Sequence, residues 1–162
     1  MSLPSGIAAG FGTGFARWLA AGFGTGFAPL AAGTMASAAA AAVGAALLWW
    51  SPIALAAAAA LATVGGVWAV HAARIDGDPG WVVIDEFAGQ WIAMLGLGTV
   101  TPLGVAASFV LFRFFDVTKL GPIGWADRQH GAIGVMADDV IAGVVAAAIL
   151  WGVHWCRPGL LH

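Results

Sequence analysis

Two nearly unbroken apolar runs, residues 35–50 and 53–73, meet at Ser51-Pro52, and neither contains an Asp, Glu, Lys or Arg. As helices they reach about 24 and 32 Å, close to the roughly 30 Å of bilayer hydrocarbon. In water such a pair has no polar face to offer solvent. In a bilayer it makes a helical hairpin, because every backbone group must be satisfied within its own segment there. Composition agrees, since only 9% of the 162 residues are charged and 61% are hydrophobic, with mean hydropathy +0.93. A soluble domain of this length carries far more charge. The chain therefore reads as one integral-membrane domain, 1–162, of all-α class: a polytopic helix bundle of about five membrane helices.

Several classes fall away early. The net charge is −2 and there is no aromatic-studded basic patch, so no nucleic-acid partner is expected. A lone cysteine, Cys156, excludes an intramolecular disulfide framework and any multi-cysteine metal site. No Lys or Arg precedes Arg17, so a cleavable signal peptide is not expected. Nothing in the sequence fixes an oligomeric state.

Three further segments complete the set. After a turn at 74–80 (RIDGDPG), a third helix over 81–97 carries Asp85 and Glu86 in its first turns. A loop at 98–102 leads to a fourth helix, 103–119, ending in Arg113, Asp116 and Lys119. A polar, Gly-rich connection over 120–137 precedes a fifth helix over 138–155. Ahead of the hairpin lies a Gly-rich stretch, 1–33, in which AAGFGTGFA occurs at 8–16 and again at 20–28. Two copies are too few for a solenoid; they read as a local duplication within an interfacial or re-entrant segment.

Five crossings bring every Asp and Glu to one face, together with Arg17, Arg74, Arg113, Lys119 and Arg128. Arg157 alone falls opposite, near Trp49, Trp50, Trp151 and Trp155. By the positive-inside rule the charged face is cytosolic, and the tryptophans belong to the other interface.

Carboxylates at a membrane edge are costly unless paired or bound to a cation. Here they are Asp85-Glu86, Asp116, Asp127 and Asp138-Asp139, with no clustered Cys or His. That donor set suits a hard ion such as Mg2+ rather than Zn2+. The structural alternative is helix capping by Asp85 and Asp138. Arg113, Asp116 and Lys119 share one helix face, either gripping phosphate and ligating metal or forming an ion pair with a snorkelling lysine. Gly33, Thr34 and Ser37 stand where the Gly-rich segment enters the first helix, as a phosphate cradle or as a packing surface. His130 could shuttle a proton, whereas His71 reads as structure.

These segments, in this order, resemble the bacterial phosphatidylglycerophosphatase A family. The strings are GFGTG at 22–26 with Pro29 and Gly33-Thr34, then Asp85-Glu86-Phe87 with Gly89 and Trp91. Phe112-Arg113 follows with Asp116, Lys119, Pro122-Ile123 and Asp127, and then Gly131, Gly134, Met136 and Asp138-Asp139 with Ala142-Gly143. The likeness covers residues 18–162. It implies a Mg2+-dependent lipid phosphatase of the bacterial inner membrane, converting phosphatidylglycerophosphate to phosphatidylglycerol with its active site facing the cytosol. The expected catalytic residues are Asp85, Glu86, Asp116 and Asp139, with Gly33, Thr34, Ser37, Arg113 and Lys119 on the substrate phosphate. The expected metal ligands are Asp85, Glu86, Asp116, Asp127, Asp138 and Asp139.

Rival readings are a phosphatase of another lipid phosphate, a membrane phosphoalcohol transferase and a cation-transporter subunit. The transferase signature needs Asp-Gly ahead of Ala-Arg, the reverse of 73–77 here. A transporter needs acids at mid-membrane or on both faces.

Overall fold

The computed structural model describes residues 5–77, 79–157 and 159–160, with side chains from residue 12 onward. Asp78, in the expected 74–80 turn, lies outside the described residues. The described residues form seven α-helices and one 3-10 segment, in order: α1 Ser5–Ala20, the 3-10 segment Gly22–Phe27, α2 Ala32–Trp50, α3 Pro52–Ala72, α4 Ile84–Met94, α5 Pro102–Thr118, α6 Pro122–Asp127 and α7 Gly131–Cys156. Among the described residues there is no strand.

The breaks have local causes. Ser51 ends α2 in extended backbone, and its Oγ accepts from the Ile53 and Ala54 N–H groups at 3.2 and 3.4 Å. With Pro52 in the first helical turn, one residue closes one helix and caps the next. Thr101 caps α5, its Oγ1 accepting from Gly104 N at 3.0 Å ahead of Pro102.

The two repeat copies adopt different structures. The first lies inside α1, whereas the second bends through left-handed backbone at Gly22, Phe23 and Gly24 (φ 53°, 58° and 98°). Its surroundings decide this. Ala20 O accepts the Val83 N–H at 2.9 Å, and a Cβ on Gly26 would strike the Trp81 carbonyl. The second copy is thus moulded onto the segment leading into α4, with Phe27 stacked on Trp81.

That docking also shortens α4. Residues 81–83 join the N-terminal segment instead of starting the helix, and Leu95, Gly96 and Leu97 close in tight turns after Met94. The helix is 11 residues, about 16 Å, rather than the expected 81–97. Nine of those residues are buried, because α4 is the centre of the bundle. A helix surrounded by protein is not bound to match the hydrocarbon thickness. Among the described residues, three helices are long and apolar enough to cross a membrane: α2, α3 and α7.

Helix directions follow from side-chain contacts. Glu86 comes close to Gly33 while Trp91 Nε1 donates to Ala40 O at 2.8 Å, so α2 and α4 run parallel. Arg113 lies 3.9 Å from Glu86, and Ser108 bonds Gln90, so α5 runs the other way. Gly89 and Gly96 abut Asp139 and Ala147, which makes α7 parallel to α4. α2, α4 and α7 thus run one way and α5 the other, consistent with a helical membrane bundle.

One boundary changes a functional reading. The last helix starts at Gly131, where a φ of 77° turns the chain, rather than at 138. Asp138 is then two turns inside α7 and does not cap its N-terminus.

This topology sends Cys156 to the end opposite the acidic residues, where it is exposed. In sealed cells or vesicles, a membrane-impermeant thiol reagent should reach Cys156 from one side. Asp76→Cys in a Cys156→Ser background should label only from the other. Labelling of both from the same side would break the helix count.

Candidate active site

Three helices deliver charge to one end of the bundle. Asp85 and Glu86 come from the first turn of α4, Arg113 and Asp116 from the last turns of α5, and Asp138 and Asp139 from α7. Lys119 is the cap residue after α5, in left-handed backbone (φ 50°, ψ 42°). Such a conformation costs a non-glycine residue about 1–2 kcal/mol. Here it accompanies a side chain bonded to two buried carboxylates.

Of the residues nominated from sequence, Gly33, Asp85, Glu86, Arg113, Asp116, Lys119, Asp138 and Asp139 line one cavity of about 300 Å3. Asp127 is half exposed and lines a neighbouring cavity of about 520 Å3 with Asp76, Arg128 and His130; Asp138 forms part of both walls. Ser37 is buried, and its hydroxyl donates to Gly33 O at 2.8 Å, a bond within its own helix. Thr34 is exposed on the first turn of α2. Neither hydroxyl lines the cavity. What the start of α2 contributes is Gly33, where a Cβ would collide with the Glu86 carboxylate and come within 3.4 Å of Arg113 Nη1.

The charges form a chain. Arg113 Nη1 sits 2.5 Å from Asp116 Oδ2, and Asp116 Oδ1 lies 2.9 Å from Lys119 Nζ. Lys119 also bonds Asp138 Oδ2 and approaches Asp127 Oδ1 at 3.6 Å. Burial opposes the charge of Lys119, but the hydrogen bonds it donates to Asp138 and Asp116 outweigh that and raise the ammonium above its ordinary range. Five carboxylates thus converge on two cations. Asp85, Asp116, Asp138 and Asp139 are each buried, and the side chain of Glu86 is 14% exposed. An uncompensated buried charge is strongly destabilising, so this site requires protons or a further cation.

The donor set suits a cation. Asp85, Glu86 and Asp139 bring oxygens within 4.8 Å of one another, as do Asp116, Asp138 and Asp139. Asp139 belongs to both groups. Each group also contains a residue with a buried oxygen that lacks a hydrogen-bond partner: Glu86, through Oε2, in the first and Asp138, through Oδ1, in the second. Asp127 belongs to neither.

Three contributions escaped sequence reasoning. Gly80 and Val82 line the cavity from the stretch before α4. Gly89 and Gly143 let α4 and α7 touch: a Cβ on Gly89 would strike the Asp139 carbonyl, and one on Gly143 the Gly89 carbonyl. That contact places the Asp139 backbone one turn from Glu86. Finally, buried Gln90 donates from Nε2 to Ser108 Oγ at 3.2 Å, joining α4 to α5 beneath the site. A lone polar residue in an apolar run was the available signal.

Fold and site together define an integral membrane protein with a cation-bridged, carboxylate-rich chamber at one end of its helix bundle. The chain belongs to the phosphatidylglycerophosphatase A family, whose model matches residues 18–154. It is 41% identical over 157 residues to phosphatidylglycerophosphatase A of Escherichia coli, covering 92% of this chain and 83% of that one. A Bacteroides thetaiotaomicron protein with the provisional name phosphatidylinositol-3-phosphatase is 35% identical over 166 residues, covering 94% of each. Phosphatidylglycerophosphatase A of Haemophilus influenzae is 34% identical over 79 residues, 48% of each chain. No solved structure matches the chain.

The glycines give separable expectations. Gly89→Ala should lower stability in detergent by about 1–3 kcal/mol, because backbone must yield to the new methyl. Gly33→Ala meets the end of a flexible side chain, so melting should change little while turnover falls by about tenfold or more. Equal losses of stability in the two variants would contradict the placement of Gly33 at the site.

Proposed function

We propose that this protein is a Mg2+-dependent phosphatidylglycerophosphate phosphatase. It removes the terminal phosphate and leaves phosphatidylglycerol in a bacterial inner membrane, with the site on the cytosolic face. The observation that carries this reading is the pairing of family membership with Arg113 and Lys119 set against five buried carboxylates at one end of the bundle. The cytosolic assignment is supported by Arg17, Arg74, Arg113, Lys119 and Arg128, which belong to the site end while Arg157 follows α7 at the other.

Roles follow from position. Asp85, Glu86, Asp116, Asp138 and Asp139 would hold Mg2+, which when bound neutralises phosphate charge and makes a coordinated water a better nucleophile. Arg113 presents a planar fork to two phosphate oxygens, and Lys119 adds a point charge. Both stabilise charge that develops as the P–O bond breaks. Gly33, lacking a side chain, lets the Glu86 carboxylate lie against the first turn of α2 beside Arg113. A cavity-facing carboxylate accepts the proton of the attacking water and returns it to the departing glycerol oxygen, which leaves as the alcohol. The lipid tails stay in the bilayer throughout.

The Bacteroides relative favours a second reading, in which another lipid phosphomonoester occupies the same cavity. Phosphate release should therefore be measured from phosphatidylglycerophosphate and from phosphatidylinositol 3-phosphate, each with and without chelator. The expected result is turnover of the first lipid that ends on chelation and returns with Mg2+. Preference for the second lipid would replace the substrate, and full activity in metal-free protein would remove the metal. Asp85→Asn, Glu86→Gln, Asp138→Asn and Asp139→Asn should each inactivate a folded protein, and near-normal turnover would free that residue from its role.

Arg113→Lys retains the charge but not the two-pronged grip. It should cost about two to three decades in kcat/KM, a loss typical of one strong transition-state contact. A variant within about twofold of wild type would reduce Arg113 to an ion-pair partner of Asp116.

A further inference from the structure

We propose that Lys119 is a resident internal cation that the metal displaces, and that Asp127 receives its ammonium when it leaves. The inference rests on the metal reading of the acidic groups given above. Of the three carboxylates in the second group, Lys119 Nζ already engages two, bonding Asp138 Oδ2 and lying 2.9 Å from Asp116 Oδ1. A divalent ion on that group would bind the same two carboxylates and repel the ammonium, so the two cations compete.

Independent signs of a ligand come from Asp138 itself. Its side chain is 7% exposed, one oxygen holds Lys119, and the other, Oδ1, is buried without a partner. Lysine can neutralise part of the cluster but leaves this oxygen unsatisfied.

The exit is also in place. Asp127 Oδ1 lies 3.6 Å from Lys119 Nζ, and its side chain is 46% exposed. It stands outside both ligand groups, on the short α6. A lysine on a flexible four-carbon stem can trade two buried partners for this one with a small swing. There it stays paired, clears the metal oxygens and can turn to an incoming phosphate. Asp127 is thus a positioning residue that acts through Lys119, and not a ligand.

The test is Mn2+ binding to purified protein, read by the electron paramagnetic resonance of free Mn2+. Asp127→Asn should weaken affinity by about tenfold, within the coupling seen between contacting groups. Lys119→Met should tighten it, and adding Asp127→Asn to Lys119→Met should then change nothing. If Asp127→Asn weakens binding equally in both backgrounds, Asp127 is itself a ligand and the proposal fails. Absence of Mn2+ binding in wild type would fell the metal reading along with it.

A readout on the wild-type chain covers the case in which Lys119→Met does not fold. Lys119 is the only lysine, so its acylation by a small amine reagent can be followed by peptide mass spectrometry. Mg2+ should speed that acylation. An unchanged rate in protein that does bind Mn2+ would overturn the displacement while leaving the metal reading standing.

Discussion

Five carboxylates packed into the end of an apolar bundle repel one another and resist leaving water, and the rest of the structure answers to that pressure. Arg113 and Lys119 offset part of it through a continuous run of ion pairs, Glu86 to Arg113 to Asp116 to Lys119 to Asp138. Neither cation serves one partner only. This sharing holds acids from three helices together, yet it leaves Glu86 Oε2 and Asp138 Oδ1 buried and unpartnered. Stability and function are coupled here, because the negative charge that Arg113 and Lys119 leave unbalanced makes the cluster receptive to a further cation.

The helices can hold this arrangement only because they approach closely where it counts. Gly89 and Gly143 bring α4 and α7 into backbone contact, and Gly33 admits the start of α2 to the Glu86 carboxylate. Beneath them the Gln90–Ser108 bond and the Trp91–Ala40 bond tie α4 to α5 and α2. A short central helix is the natural carrier for the site. It has no lipid face to maintain, so its sequence is free to serve its neighbours.

Much of this was legible in the sequence, and the reasons for the remainder are physical. Uncharged runs on either side of Ser51-Pro52 announce a hairpin because hydropathy and capping agree there. The clustering of Asp85, Glu86, Arg113, Asp116, Lys119, Asp138 and Asp139 followed from counting crossings. Ends of elements were harder. Asp138 looked like a helix start, but Gly131 turns the chain earlier and carries Asp138 into the helix interior. The duplicated AAGFGTGFA could not reveal its two structures, since identical residues were sorted by what packs against them. Asp127 illustrates a related limit: its sequence neighbourhood resembles that of a ligand, while its position outside both oxygen groups is a matter of tertiary geometry.

The central claim is that a divalent cation completes the carboxylate cluster. Anomalous diffraction from Mn2+-soaked crystals tests it without reference to turnover. The expected result is a peak bounded by Asp139 and its partners in one or both groups, at the roughly 2 Å contacts usual for a hard cation and oxygen. Density free of metal, with the carboxyls bonded only to one another and to Arg113 and Lys119, would contradict it.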